Sequence, residues 1–170
     1  MTVTEHANKP ADPRLEKMDD FFTARLAGYD HQMLVNVEGC AEGYATVAQL
    51  LGQDPACVFK TLVAVGASKR NYVFVIPVLC ELDRKKAAKA VGEKSIELIP
   101  VKELLPLTGY IRGGCSPVGM KKVFPTVFDA TAQEKAAICV SAGKIGTQVE
   151  CSPVALATLV RGKFAAVTEG

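Results

Sequence analysis

The sequence has no tryptophan, only four tyrosines and only two histidines, His6 and His31. With so few large aromatics, extensive base stacking of the single-strand-binding kind is not expected. A histidine-centred triad would have to be built on His31, and no nucleophile motif lies near it. The six cysteines, Cys40, Cys57, Cys80, Cys115, Cys139 and Cys151, form no C-x-x-C pair, which argues against a zinc site. There is no G-x-x-x-x-G-K-[ST] run, and no G-x-G-x-x-G follows a strand, so the common nucleotide-binding loops are absent. No apolar run approaches the ~20 residues of a membrane span. The N-terminal MTVTEHANKPADPR is polar and lacks the apolar segment of a secretory signal. These absences fit a reduced, cytoplasmic protein with free and mostly buried thiols and no metal or cofactor. A net charge of +2 excludes a whole-protein polycation but leaves room for a local basic patch.

What is present suits one globular domain. The length of 170 residues, 49% of them hydrophobic, supports a single sizeable core. Residues 1–13 read as a flexible leader and 14–170 as the domain. Leu15, Met18, Phe21, Phe22 and Leu26 recur at helical spacing, ending near Gly28. Asp30 and His31 read as a turn, Met33–Glu38 as a strand, 39–43 as a loop and Tyr44–Leu51 as a short helix closed by Gly52 and Pro55. Val58–Val65 and Tyr72–Leu79 flank the turn-rich Gly66–Asn71, predicting an antiparallel strand pair. Asp83 is placed to cap a helix through Val91, with Lys85, Lys86 and Lys89 on its solvated side. Ser95–Ile99 reads as a strand, and Val101–Leu107 as a helix broken at Pro106. Strands are predicted at Thr126–Asp129, Ala137–Ser141, Thr147–Cys151 and about Phe164–Val167, with a helical turn at Ala130–Lys135. Ser152-Pro153 starts a helix to about Val160, serine as cap and proline at the first position. Regular β-α alternation is missing, which excludes a doubly wound sheet.

The stretch Gly109-Tyr-Ile-Arg-Gly-Gly-Cys-Ser-Pro-Val-Gly-Met-Lys-Lys122 packs four glycines, a proline and three cations into fourteen residues. Gly113 and Gly114 permit positive φ or a close backbone approach, and Pro117 restricts Ser116 to extended geometry. Successive amides in such a loop converge on an anion or oxyanion. A plain tight turn is the alternative. A second glycine loop, Ala142–Gly146, carries Lys144. Lys60 interrupts an apolar strand. It is either a solvated surface lysine or one projected into a cleft, and composition does not choose. Cys115 has the setting of a nucleophile with a lowered pKa, but no partnered base is visible and a small loop-filling residue is the better reading. Ser116 and Ser141 read as loop hydrogen-bonders. The set suits stabilisation of an acyl-ester transition state together with phosphate holding.

Val58-Phe-Lys-Thr-Leu-Val63, the Gly109–Lys122 stretch, Pro125-Thr-Val127 and Val140-Ser-Ala-Gly-Lys-Ile-Gly146 occur in that order. Together they closely resemble the YbaK/prolyl-tRNA-synthetase insertion-domain family of aminoacyl-tRNA deacylases, from about Asp30 to Leu159. The resemblance implies an α/β (α+β) single domain with a curved, barrel-like, mixed and mostly antiparallel β-sheet surrounded by short helices. It implies trans-editing, the hydrolysis of a wrong amino acid from tRNA, typically cysteine or a similar small residue on tRNA for proline. Editing of this kind is needed because a small pocket cannot reject near-identical amino acids by binding alone. Carried over residue by residue, the resemblance makes Lys60 essential to activity, in contact with the terminal adenosine or phosphate end. It makes Thr61, Gly113, Gly114, Cys115, Ser116, Pro117, Gly119, Ser141 and Gly143 substrate-binding. Lys121, Lys122 and Lys144 are the expected tRNA contacts. Aminoacyl-tRNA is the expected partner, with a synthetase as a second. The chain departs from the family pattern at Val35-Asn-Val37, in a second loop with fewer glycines and basic residues, and in lacking an acid at Thr147 or Gln148. A non-catalytic tRNA- or synthetase-binding module is the alternative, and a hydrolase of small acyl esters a weaker third.

Overall fold

The computed structural model describes Phe22, residues 24–35 and residues 54–169. Among the described residues eight strands run β1 His31–Val35, β2 Phe59–Gly66, β3 Asn71–Pro77, β4 Ile96–Leu98, β5 Thr126–Asp129, β6 Ile138–Ser141, β7 Thr147–Cys151 and β8 Lys163–Ala165. Three helices with described bounds, α1 Arg84–Val91, α2 Val101–Thr108 and α3 Pro153–Val160, lie between β3 and β8. Single 3-10 turns cover Pro55–Cys57 and Ala130–Glu134.

The expected hairpin forms: β2 pairs antiparallel with β3, Lys60 opposite Ile76 and Thr61 opposite Val75. Its β-branched residues suit a pleat packed on both sides. Phe59 and Val63 of β2, with Val73 and Val75 of β3, enter a first core that also holds Phe128, Ile138, Val140, Val149 and Leu156. The alternate positions, Ala64, Phe74 and Ile76, enter a second core under α1 with Ala87, Ala88, Ile96 and Val167. Phe59 and Phe74 are fully buried on opposite faces, and truncating either to alanine is expected to cost about 3–5 kcal/mol.

The strands form a sheet of order β4-β2-β3-β5-β8 and another of order β1-β7-β6. Pairing is mixed and mostly antiparallel, with β3–β5 and β5–β8 parallel. Among the described residues the two sheets meet through a parallel bridge, Val58 to Cys139, and they do not close into a barrel. The helix starts follow their caps. The Asp83 carboxylate accepts from the amides of Lys85 and Lys86 at 3.0 Å, and the Ser152 hydroxyl accepts from Ala155 at 3.4 Å.

Several expectations shift. His31 opens β1 instead of forming a turn. Pro106 does not break α2, which continues to Thr108; only two residues follow it before the helix ends at Gly109, so little helix remains for it to disrupt. The helix expected at Tyr44–Leu51 and the leader at 1–13 lie outside the described residues, as does most of the helix expected from Leu15; Phe22 and Leu26 from its end are fully buried. Among the described residues no helix is long and apolar enough to cross a membrane.

Candidate active site

The glycine-rich loop is held at its ends and its middle. α2 stops at Gly109, whose φ of 86° is the left-handed geometry that glycine tolerates. Thr108 then acts as a clamp. Its hydroxyl donates to the Leu104 carbonyl at 2.8 Å and accepts from the Tyr110 amide at 3.0 Å. Its carbonyl accepts from the Lys121 amide at 3.0 Å, closing the loop. Inside, the buried Tyr110 hydroxyl donates to the Val118 carbonyl at 2.6 Å, and burial raises its pKa further. The Ser116 hydroxyl accepts from the Val118 amide at 3.2 Å, which closes the turn.

Cys115 gives the site its backbone, not its thiol. The side chain is buried in the first core, and that burial pushes the thiol pKa up to about 12. A nucleophilic cysteine needs the opposite shift. The amides tell more. Gly114 N–H donates to Ile111 at 3.1 Å, but the N–H groups of Cys115 and Ser116 meet no acceptor among the described residues. Those residues are 2% and 0% exposed. Buried amides are nearly always paired, so two side by side without an acceptor are unusual.

The second glycine loop presses against the first. A Cβ on Gly114 would lie 2.9 Å from the Lys144 Cα and 3.0 Å from its amide nitrogen, so only glycine fits there. The Ser141 hydroxyl donates to the Gly113 carbonyl at 3.4 Å, a long bond that joins β6 to the loop.

Register brings the strand residues to this place. Val58 bridges Cys139 in parallel; two residues further on, Lys60 and Ser141 lie on one face. Ser141 in turn stands opposite Gln148 across β6–β7. Cross-strand partners share a face, so Lys60, Ser141 and Gln148 form one polar row beside the loop. The Lys60 side chain is 16% exposed, and its Nζ lies 4.0 Å from Glu81 Oε1, itself on an 80% exposed side chain. Gln148 is 2% exposed, and its Oε1 has no partner among the described residues.

Of the residues singled out from sequence, Gly113, Gly114, Ser141 and Gly143 are brought together, with the Cys115 and Ser116 backbone; Lys60 shares the face of Ser141 and pairs with Glu81. Pro117 is buried behind the turn. Thr61 alternates onto the opposite face of β2, among first-core residues, with a buried Oγ1 that meets no partner. Gly119 is exposed beyond the loop. Lys121 runs its aliphatic stem past Gly109, Lys122 lines a neighbouring cavity, and Lys144 backs Gly114. Gln148 was missed because Thr147-Gln-Val-Glu-Cys151 reads as an ordinary alternating strand, which does not reveal that its polar face is covered. Among the described residues no three His, Cys, Asp or Glu side chains converge as metal ligands.

A family model described as an aminoacyl-tRNA editing domain matches residues 40–159. A protein of Enterococcus faecalis, provisionally named Cys-tRNA(Pro)/Cys-tRNA(Cys) deacylase EbsC, is 52% identical over 123 residues, 72% of this chain and 75% of that protein. A crystal structure described as a provisional trans-editing enzyme for prolyl tRNA synthetase superposes with a TM-score of 0.78 at 23% identity, covering 95% of this chain and 100% of that one. A solved hypothetical protein gives a TM-score of 0.76 at 25% identity, covering 90% of this chain and 99% of its own.

Proposed function

The chain belongs to the aminoacyl-tRNA editing domain family, and from that membership we propose how it acts as a trans-editing hydrolase on the ester of a mischarged tRNA. The protein is an aminoacyl-tRNA deacylase. The substrate we assign is cysteine esterified to tRNA for proline or for cysteine, the activity that names its relative. We place the reaction in the cytoplasm, where aminoacyl-tRNA is used, with a prolyl-tRNA synthetase as a second partner.

The observation that carries the site assignment is the pair of buried, unpaired amides at Cys115 and Ser116. The ester carbonyl oxygen sits against them. Water adds to the carbonyl carbon, and the oxygen's new negative charge is held by the two N–H dipoles. The acyl C–O bond then breaks, the ribose oxygen leaves with the proton that the water gave up, and free amino acid and tRNA part. Lys60 supplies a positive charge to the terminal adenosine or its phosphate. Gln148 Oε1 accepts a hydrogen bond from the α-ammonium or ribose hydroxyl of the substrate. We assign the attack to water and not to the Cys115 thiol, which burial holds protonated.

Deacylation of a panel of tRNA(Pro) charged with cysteine, alanine, serine or proline tests this reading. Selective loss of the cysteinyl ester is the expected result. Binding of every species with turnover of none would leave a non-catalytic tRNA-binding module in its place.

A further inference from the structure

Behind the glycine-rich loop, away from the polar row, two cavities adjoin. One, of about 600 Å³, is lined by residues including Arg70, Asn71, Phe124, Thr126, Arg161 and Lys163. The other, of about 500 Å³, includes Arg25, Pro117, Lys122, Phe124, Thr126 and Arg161. Phe124, Thr126 and Arg161 belong to both, so they form one track. Five cations line it, Arg25, Arg70, Lys122, Arg161 and Lys163, and no acidic residue is among its described lining residues; Glu93 stands just beyond, bonded to the Tyr72 hydroxyl on the side of Arg70, and the Lys163 amine donates to the Ala90 carbonyl. The whole chain carries only +2, so this is a concentration of charge. Three of the five are arginines, whose planar fork matches phosphate oxygens two at a time.

Resting on the editing assignment above, we propose that this track binds the phosphodiester backbone of the tRNA acceptor stem. A single phosphate would occupy one cavity; five cations spread over two adjoining cavities match successive phosphates of a strand. Pro117, which ends the loop proposed to hold the ester, lines the track, so the track adjoins that loop from behind. Val123, 90% exposed on the rim, offers an apolar face to a ribose or base. Arg161 sits at the C-terminus of α3 with a φ of 55°, a geometry that favours glycine, and it lines both cavities.

Fluorescence anisotropy of an uncharged acceptor-stem minihelix decides the matter across a salt series. The variants are Arg70→Gln with Arg161→Gly, and separately Lys122→Gln. Arg161→Gly places glycine where the backbone prefers it, so the fold is kept, and a thermal melt checks this. The double variant is expected to bind about 10-fold more weakly, with its log Kd against log salt slope reduced by about 2, one per lost phosphate contact. Lys122→Gln is expected to lose about 1 from the slope. A control, Lys85→Ala with Lys89→Ala on α1, should leave affinity unchanged. Unchanged affinity and slope in the track variants, an equal loss in the control, or no minihelix binding by wild type would each overturn the proposal. Wild-type turnover of Cys-tRNA is measured separately; its failure would remove the editing assignment while the binding data still judge the track.

Discussion

Gln148 stands directly opposite Ser141 across β6–β7, buried to 2% exposure, with a side-chain oxygen that no described residue meets. An unmet buried acceptor costs about 1–3 kcal/mol. Gln148→Met keeps the volume and removes the acceptor. The protein is therefore expected to melt higher, while KM for the aminoacyl-tRNA rises about 10-fold and kcat changes less. A lower melting temperature with unchanged KM would show the oxygen to be satisfied within the protein.

Tyr110 holds the loop through its bond to the Val118 carbonyl. Tyr110→Phe leaves that carbonyl unpaired in a buried setting, a loss of about 1–3 kcal/mol. Thermal melts should show the loss. Deacylation should slow as well, because the amides at Cys115 and Ser116 ride on the same loop.

Gly114 has no room for a side chain against the Lys144 backbone. Gly114→Ala must therefore part the two glycine loops. A displacement near 1 Å at a reacting centre costs on the order of 100-fold in rate, and single-turnover kinetics should show a fall of that order in a protein that remains folded by circular dichroism.

The thiols of Cys115 and Cys139 are both pushed up to about 12, mainly by burial, from an ordinary 9.0. The folded state then keeps protons that the unfolded chain gives up. Their contribution is fully present below about pH 9 and is lost as pH rises toward 12. Melting temperature should fall over that window, less steeply in Cys115→Ala with Cys139→Ala. Cys115→Ala alone should retain most deacylation at neutral pH, where loss of a true nucleophile would abolish it.

Local chemistry made much of this fold readable. The hairpin followed from two β-branched runs around Gly66–Asn71, α1 from Asp83, and α3 from Ser152-Pro153. The parallel pairings of β5 with β3 and β8 were not legible, because partners so far apart in the chain leave no local trace. The same limit applies to the site. Lys60 and the Gly113–Pro117 loop were singled out, Lys60 by its place in an apolar run and the loop by its composition. That Lys60 shares a face with Ser141, which bonds the loop, depends on the Val58–Cys139 bridge and on the β6–β7 register. Arg70, Arg161 and Lys163 sit in unremarkable turns and strand ends, and only the fold lines them up on one track.

The most direct test of the account is single-turnover deacylation of Cys-tRNA(Pro) by the wild type and by Lys60→Ala. The ion pair of Lys60 with the exposed Glu81, at 4.0 Å, adds little stability, so the variant should melt like the parent. The account predicts rapid ester loss with wild type and a rate lower by about 100-fold or more in the variant. Cleavage by folded Lys60→Ala at the wild-type rate would contradict it.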